Sequence, residues 1–166
     1  TDASGNSSTC TFQVLVVDTT IPAISCGADL LLASTPGQCG RVVNYVLPAV
    51  NDNCTGVSLT RTAGPATGSF FPVGTTLVTH SATDAAGNSS ACSFEITVFD
   101  DQVPLLTNCP TDLSINADPN SCTATPTWSV PTFSDACSTA TLIQTAGPAI
   151  GSELPVGNTT ITYVIQ

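Results

Sequence analysis

The sequence predicts an all-β protein built from tandem β-sandwich repeats of about 83 residues, stapled by disulfides. Three observations carry this expectation. Thr, Ser, Val, Ala, Gly and Pro dominate, as in short strands separated by tight turns, and no long stretch keeps a 3.6-residue period. Eight cysteines sit in a chain of which only 8% is charged. Long segments recur: TAGPATGSFFPVGTTLVT at 62–79 returns as TAGPAIGSELPVGNTTIT at 145–162.

The same shift carries Cys26 onto Cys109, Cys39 onto Cys122, Pro48 onto Pro131, Asp52 onto Asp135, Cys54 onto Cys137 and Tyr45 onto Trp128. A second match, one residue shorter in offset, places TDASGNSSTCTFQVLVVD at 1–18 over TDAAGNSSACSFEITVFD at 83–100. The chain therefore divides into a terminal strand of a preceding or neighbouring-chain repeat (1–20), a complete repeat (21–100) and a repeat lacking its last strand (101–166). The lack of Met and of a signal peptide fits a processed chain or a window on a longer one.

Five strands are expected in the complete repeat, at 28–34, 40–47, 56–62, 74–83 and 90–99. The turn signals TPGQ, PAVNDNC, GPATG and DAAGN separate them. The last strand alternates, with Cys92, Phe94, Ile96 and Val98 on one face and Ser93, Glu95 and Thr97 on the other. Its copy puts Cys10, Phe12, Val14 and Val16 on the corresponding face. Tyr45 and Trp128 are expected at the core centre, with Val43 and Leu47. His80, the single histidine, has Tyr163 as its copy and is expected to pack like an aromatic ring. Removing a last strand leaves the apolar residues and backbone groups of its neighbours uncovered. Residues 101–166 are therefore expected to accept a strand resembling residues 1–20, from the continuing chain or from another copy.

Pro…Cys…Asp-Asn-Cys…FPVGTTLVTHSATDAAGNSSACSFEITV closely resembles the hyalin repeat, or HYR domain, over essentially the whole chain. The resemblance implies an immunoglobulin-like sandwich in an extracellular adhesive or structural protein, without catalysis. The tandem array also resembles those of giant bacterial cell-surface adhesins, including gliding-type adhesins secreted by the type IX route. The chain departs from the family pattern at Asp135-Ala136-Cys137, at His80 and at Cys26-Gly27.

Disulfides are expected because an array with thin cores gains roughly 2–4 kcal/mol from each one in an oxidising compartment. If strands 28–34 and 40–47 form a hairpin, Cys26 and Cys54 lie at one end. Of the three connectivities open to four cysteines, that favours Cys26–Cys54 and Cys39–Cys92, with Cys109–Cys137 and Cys122 bonded to an equivalent of Cys10.

Charge excludes some partners. Lys and Arg total 2 against 12 Asp and Glu, a net charge of -10, which disfavours nucleic acid and anionic membranes. No apolar run approaches the roughly 18 residues of a membrane span. The cofactor that acidic junctions would take is calcium, with Asp52, Asn53, Asp84, Asn88, Asp100 and Asp101 as candidate ligands. The competing reading makes Asp84 and Asn88 the makers of a turn. No phosphate loop, nucleophile elbow or paired carboxylates in a pocket suggests an enzyme. Three functions remain: an extracellular stalk or filament of repeats joined head to tail, an adhesion module binding a glycan or protein through end loops, and an enzyme accessory domain, which no residue pattern directly supports. Phe70 and Phe71 are the aromatic candidates for the second. Asn6, Asn53, Asn88 and Asn158 open Asn-x-Ser/Thr sequons.

Overall fold

A computed structural model describes residues 1–137 and 139–166. Every regular element among the described residues is a strand, so none is a helix able to cross a membrane. Eight strands come first: β1 (Ala23–Ser25), β2 (Leu30–Ala33), β3 (Gly40–Val43), β4 (Ala49–Asn51), β5 (Ser58–Ala63), β6 (Ser69–Pro72), β7 (Gly74–Thr83) and β8 (Ser89–Phe99). Then follow β9 (Leu105–Thr107), β10 (Thr123–Ala124), β11 (Thr132–Ser134), β12 (Leu142–Ala146), β13 (Leu154–Pro155) and β14 (Thr162–Ile165).

The main sheet has the order β2-β8-β7-β5, and β1 with β4 and β3 with β6 form two-stranded ladders. The architecture is that of tandem immunoglobulin-like sandwich repeats, as the sequence predicted. The pairing within it differs from the expected hairpin. Strand β2 runs parallel to β8, with Leu30 opposite Ile96 and Leu32 opposite Val98, and β3 pairs with β6. A parallel pair needs a long connection, and here the partner lies at the far end of the repeat, beyond the reach of local turn signals.

The chain divides into two compact units. The first comprises Thr1–Asp29, Tyr45–Thr67 and Leu77–Glu95; the second comprises Leu30–Asn44, Gly68–Thr76 and Ile96–Gln166. The first unit has a core of Tyr45, Val78, His80, Ala82 and Phe94. The Tyr45 ring meets Phe94 edge-on at 5.2 Å, and His80 lies parallel to Phe94. His80 thus fills the aromatic position expected of it. Burial, and secondarily the Arg61 charge, holds its imidazole below the ordinary pKa. Leu47, expected inside, is exposed: the chain leaves β3 at Val43 and only Tyr45 turns inward before buried Pro48. In the second unit Val43, Phe71, Ile96 and Val98 are buried.

The second copy repeats three of these ladders. β9 with β11, β10 with β13 and β12 with β14 reproduce β1 with β4, β3 with β6 and β5 with β7. Even the irregularity is copied, with the register shifting between Arg61 and Ala63 and again between Gln144 and Ala146. Gly64 and Gly147 follow these bulges at φ 76 and 85. A Cβ there would come within 2.6 Å of the Leu77 carbonyl and 2.5 Å of the Thr160 carbonyl, so only glycine fits.

Among the described residues, the second copy has no counterpart of the β2–β8 pair. Leu113 and Ile115, the copies of Leu30 and Leu32, belong to no strand and are exposed.

Candidate functional site

Two features stand out: an open groove in the second repeat and a recurring acidic, cysteine-bearing junction. The groove, about 620 Å³, is lined by Cys109, Leu113, Ile115, Trp128, Leu154 and Tyr163, among others. Trp128 is half-buried, and its Nε1 donates to the Tyr163 hydroxyl at 3.0 Å. Cys109, Leu113, Ile115, Trp128 and Tyr163 are copies of Cys26, Leu30, Leu32, Tyr45 and His80, which meet β8 in the complete repeat.

The last-strand motif occurs a second time, uncovered, near the start of the chain. Phe94, Ile96 and Val98 on β8 are 4%, 0% and 1% exposed, whereas their copies Phe12, Val14 and Val16 are 83%, 77% and 89% exposed. The turn before each copy forms identically. Asp84 Oδ1 accepts the Asn88 N–H at 2.8 Å and its Oδ2 accepts Asn88 Nδ2 at 2.8 Å. Asp2 receives the same two bonds from Asn6 at 2.9 and 3.1 Å. The turn is thus encoded locally, as side-chain-to-backbone bonds allow. The strand after it forms only where neighbours supply a ladder.

The disulfide pattern corrects the expected one. Cys26 is bonded to Cys92, not to Cys54, and Cys39 is therefore not bonded to Cys92. The reason is the register of β1 on β4. Ala23 faces Asn51 and Ser25 faces Ala49, so Cys26 and Cys54 leave that ladder at opposite ends. Cys10, Cys39, Cys54, Cys109, Cys122 and Cys137 are free thiols, so the expected Cys109–Cys137 bond is not made either. By the repeat offset, the copies of Cys26 and Cys92 are Cys109 and a Cys10-type residue, so the position opposite Cys10 in the repeat pattern is Cys109 and not Cys122.

At the first junction the carboxylates of Asp18, Asp52 and Asp84 offer ligand atoms within 4.8 Å of one another. Asp18 Oδ2 and Asp52 Oδ1 are buried without a hydrogen-bond partner. Asn53 Nδ2 reaches Asp18 at 3.4 Å, and Asn88 Nδ2 reaches the Asp18 carbonyl at 3.2 Å. Four of the six expected metal ligands, Asp52, Asn53, Asp84 and Asn88, are therefore gathered here. Asp100 and Asp101 are not part of this cluster. Asp18 was missed, although the repeat offset maps it onto Asp100. The Thr20 N–H, then the Cys54 thiol, hold the Asp18 carboxyl below the usual range. The same bond to Asp18, then burial, pushes the Cys54 thiol up. Hard oxygen donors in this number suit calcium as part of a ligand set.

The second junction copies the first. Gln102 N–H donates to Asp100 at 3.1 Å as Thr20 does to Asp18 at 3.0 Å, and Cys137 N–H donates to Asp135 at 2.7 Å as Cys54 does to Asp52 at 3.1 Å. Burial, then a hydrogen bond with the Cys39 thiol and the Asp100 charge, push the Cys137 thiol up to about 12. Of the two aromatic loop candidates, Phe71 is wholly buried on β6, which corrects its expected exposure. Phe70 is partly exposed on the opposite face.

The HYR domain family model matches residues 17–98 and again 99–166. Hyalin from Strongylocentrotus purpuratus is 34% identical over 99% of this chain and 14% of its own length. Hyalin from Lytechinus variegatus is 36% identical over 99% of this chain and 32% of its own length. The sushi, von Willebrand factor type A, EGF and pentraxin domain-containing protein 1 of Rattus norvegicus is 31% identical over 88% of this chain and 4% of its own length. The chain thus spans a third or less of each of these relatives, none of which is a bacterial adhesin. No solved structure matches. The chain belongs to the HYR domain family.

Proposed function

We propose that this chain is a non-catalytic, extracellular structural and adhesive segment whose repeats join head to tail into a stalk or filament. A strand of the Cys10–Val17 type seats beside Leu113 and Ile115, completing the second repeat as β8 completes the first. The observations that support this reading are the contrast between buried Phe94, Ile96 and Val98 and exposed Phe12, Val14 and Val16, and, separately, a groove whose lining includes copies of β8's neighbours. The donor is a second copy or an adjoining repeat of the same polypeptide. Seating it would bring Cys10 to Cys109, which lines the groove.

Sedimentation velocity tests the reading. The chain should form end-to-end multimers as its concentration rises, and Val14→Asp should abolish them without altering the monomer's circular dichroism. A chain that stays monomeric at all concentrations, or multimers indifferent to Val14→Asp, would refute it.

Calcium is the cofactor this reading assigns to Asp18, Asp52 and Asp84, where it would offset the repulsion of three close carboxylates. Melting with calcium and then with chelator should give a higher midpoint in calcium, and Asp52→Asn should remove the difference. Equal midpoints would remove calcium from the account.

A further inference from the structure

Six of the eight cysteines lie outside the Cys26–Cys92 bond, and two of these six are already neighbours. Cys39 precedes β3 in the complete repeat; Cys137 follows β11 in the next one. Both belong to the second compact unit. Their contacts are reciprocal. The Cys39 thiol reaches the carbonyl of Ala136, the residue before Cys137. The Cys137 thiol reaches the carbonyl of Gln38, the residue before Cys39, at 3.2 Å.

Both loops are held in place. Gln102, on the linker between the repeats, donates from Nε2 to Ser34 Oγ at 2.9 Å and accepts the Gly37 N–H at Oε1 at 2.5 Å. This pins the turn that carries Cys39. The Asp135 carboxylate pins the loop that carries Cys137 through the Cys137 N–H at 2.7 Å. Each thiol thus touches the residue next to the other cysteine, and both loops are anchored, which places the pair where a disulfide can be tested.

We propose that Cys39 and Cys137 form an inter-repeat disulfide, so that each repeat is bolted to the next across the junction. By the repeat offset, Cys54 is the copy of Cys137 and would receive the Cys39 copy of a preceding repeat, and Cys122 would offer itself to the Cys54 copy of a following one. The pattern uses two cysteines of each repeat within it and two across junctions. Its chemistry is thiol–disulfide exchange with a small-molecule disulfide as oxidant. The Cys39 thiolate attacks one sulfur of that disulfide and releases one small thiol. The Cys137 thiolate then attacks Cys39 Sγ and releases the second. One S–S bond forms and one breaks. The protein pair loses two electrons, the oxidant gains them, and the two cysteine protons end on the two released thiols. The proposal holds whether or not the groove takes a strand.

An Asp-specific protease separates the alternatives, because cleavage before each Asp leaves every cysteine on its own peptide. The whole chain, refolded in a mixture of oxidised and reduced small thiol, is alkylated and digested without reduction. Peptide 29–51 should be found joined to 135–166, alongside 18–28 joined to 84–99. Cys39→Ser should leave 135–166 fully alkylated and the 18–28 with 84–99 link unchanged. Any digest in which 29–51 is alkylated, or joined to a peptide other than 135–166, overturns the proposal. Strand seating is scored separately, as 2–17 joined to 101–111 between copies, so either idea can fail alone.

Discussion

Phe94 and Phe12 are the same residue in two copies of one strand, and their substitution by alanine should have opposite signatures. Phe94 is buried between Tyr45 and His80, with ring centroids at 5.2 and 6.4 Å. Emptying such a site costs the transfer energy of the ring plus that of the cavity, about 3–5 kcal/mol. Against a total domain stability of about 5–15 kcal/mol, that leaves the repeat marginal. Phe12 is 83% exposed. Its loss in the monomer should change stability by no more than about 0.5 kcal/mol, as for surface positions generally. The assay is urea unfolding followed by circular dichroism, at a concentration where the chain sediments as a monomer. Phe94→Ala should shift the midpoint sharply downward with little change in slope, and Phe12→Ala should leave it in place. At concentrations where multimers form, Phe12→Ala should weaken assembly. Equal destabilisation of the monomer by both variants would refute the reasoning, because it would mean that residues 10–17 already pack in the isolated chain.

Two further outcomes follow from the packing. Replacing Cys26 and Cys92 together by Ala frees a loop whose ends are 66 residues apart, and chain entropy assigns about 4 kcal/mol to that constraint. Urea denaturation of the double variant beside the parent checks this, and an unchanged midpoint would contradict it. His80 is neutral in the folded state because burial lowers its pKa, so protonation favours unfolding. Its contribution is intact above about pH 6.5, falls as pH drops below that value, and levels off beneath the lowered folded pKa. Thermal melts from pH 7.5 to 5 should lose this slope in His80→Phe; an unaltered slope would assign it elsewhere.

Much of the fold was legible from internal repetition and period-two alternation. The buried face of β8 reads directly from Phe94, Ile96 and Val98, and His80 reads as an aromatic from its copy Tyr163. Strand partnership was less legible. Adjacent strands suggested a hairpin, but β2 is satisfied by β8 at the far end of the repeat, and alternation does not identify a distant partner. The disulfide expectation failed with the hairpin, because it depended on which strand ends met. At the acidic junction, Asp52, Asn53, Asp84 and Asn88 are legible as candidate calcium ligands because oxygen-bearing side chains recur near the repeat boundary. Asp18 is not legible as a partner of Asp52 and Asp84 because it follows the strand motif of the preceding repeat, far from both in sequence, although Asp100 is its copy. The approach of Cys39 to Cys137 is set by how the linker anchors two loops, through Gln102 and Asp135, and no local pattern signals it.

Trp128 offers the most direct test of strand seating. It is the only tryptophan in the chain and lines the groove that Phe12, Val14 and Val16 would fill. A synthetic peptide of residues 7–18, with its cysteine alkylated, should be titrated into dilute chain while Trp128 emission is recorded. The account predicts a saturable blue shift as water leaves the ring, absent for a peptide carrying Val14→Asp. Emission unchanged up to millimolar peptide, or an equal shift with the Asp-bearing peptide, would contradict it.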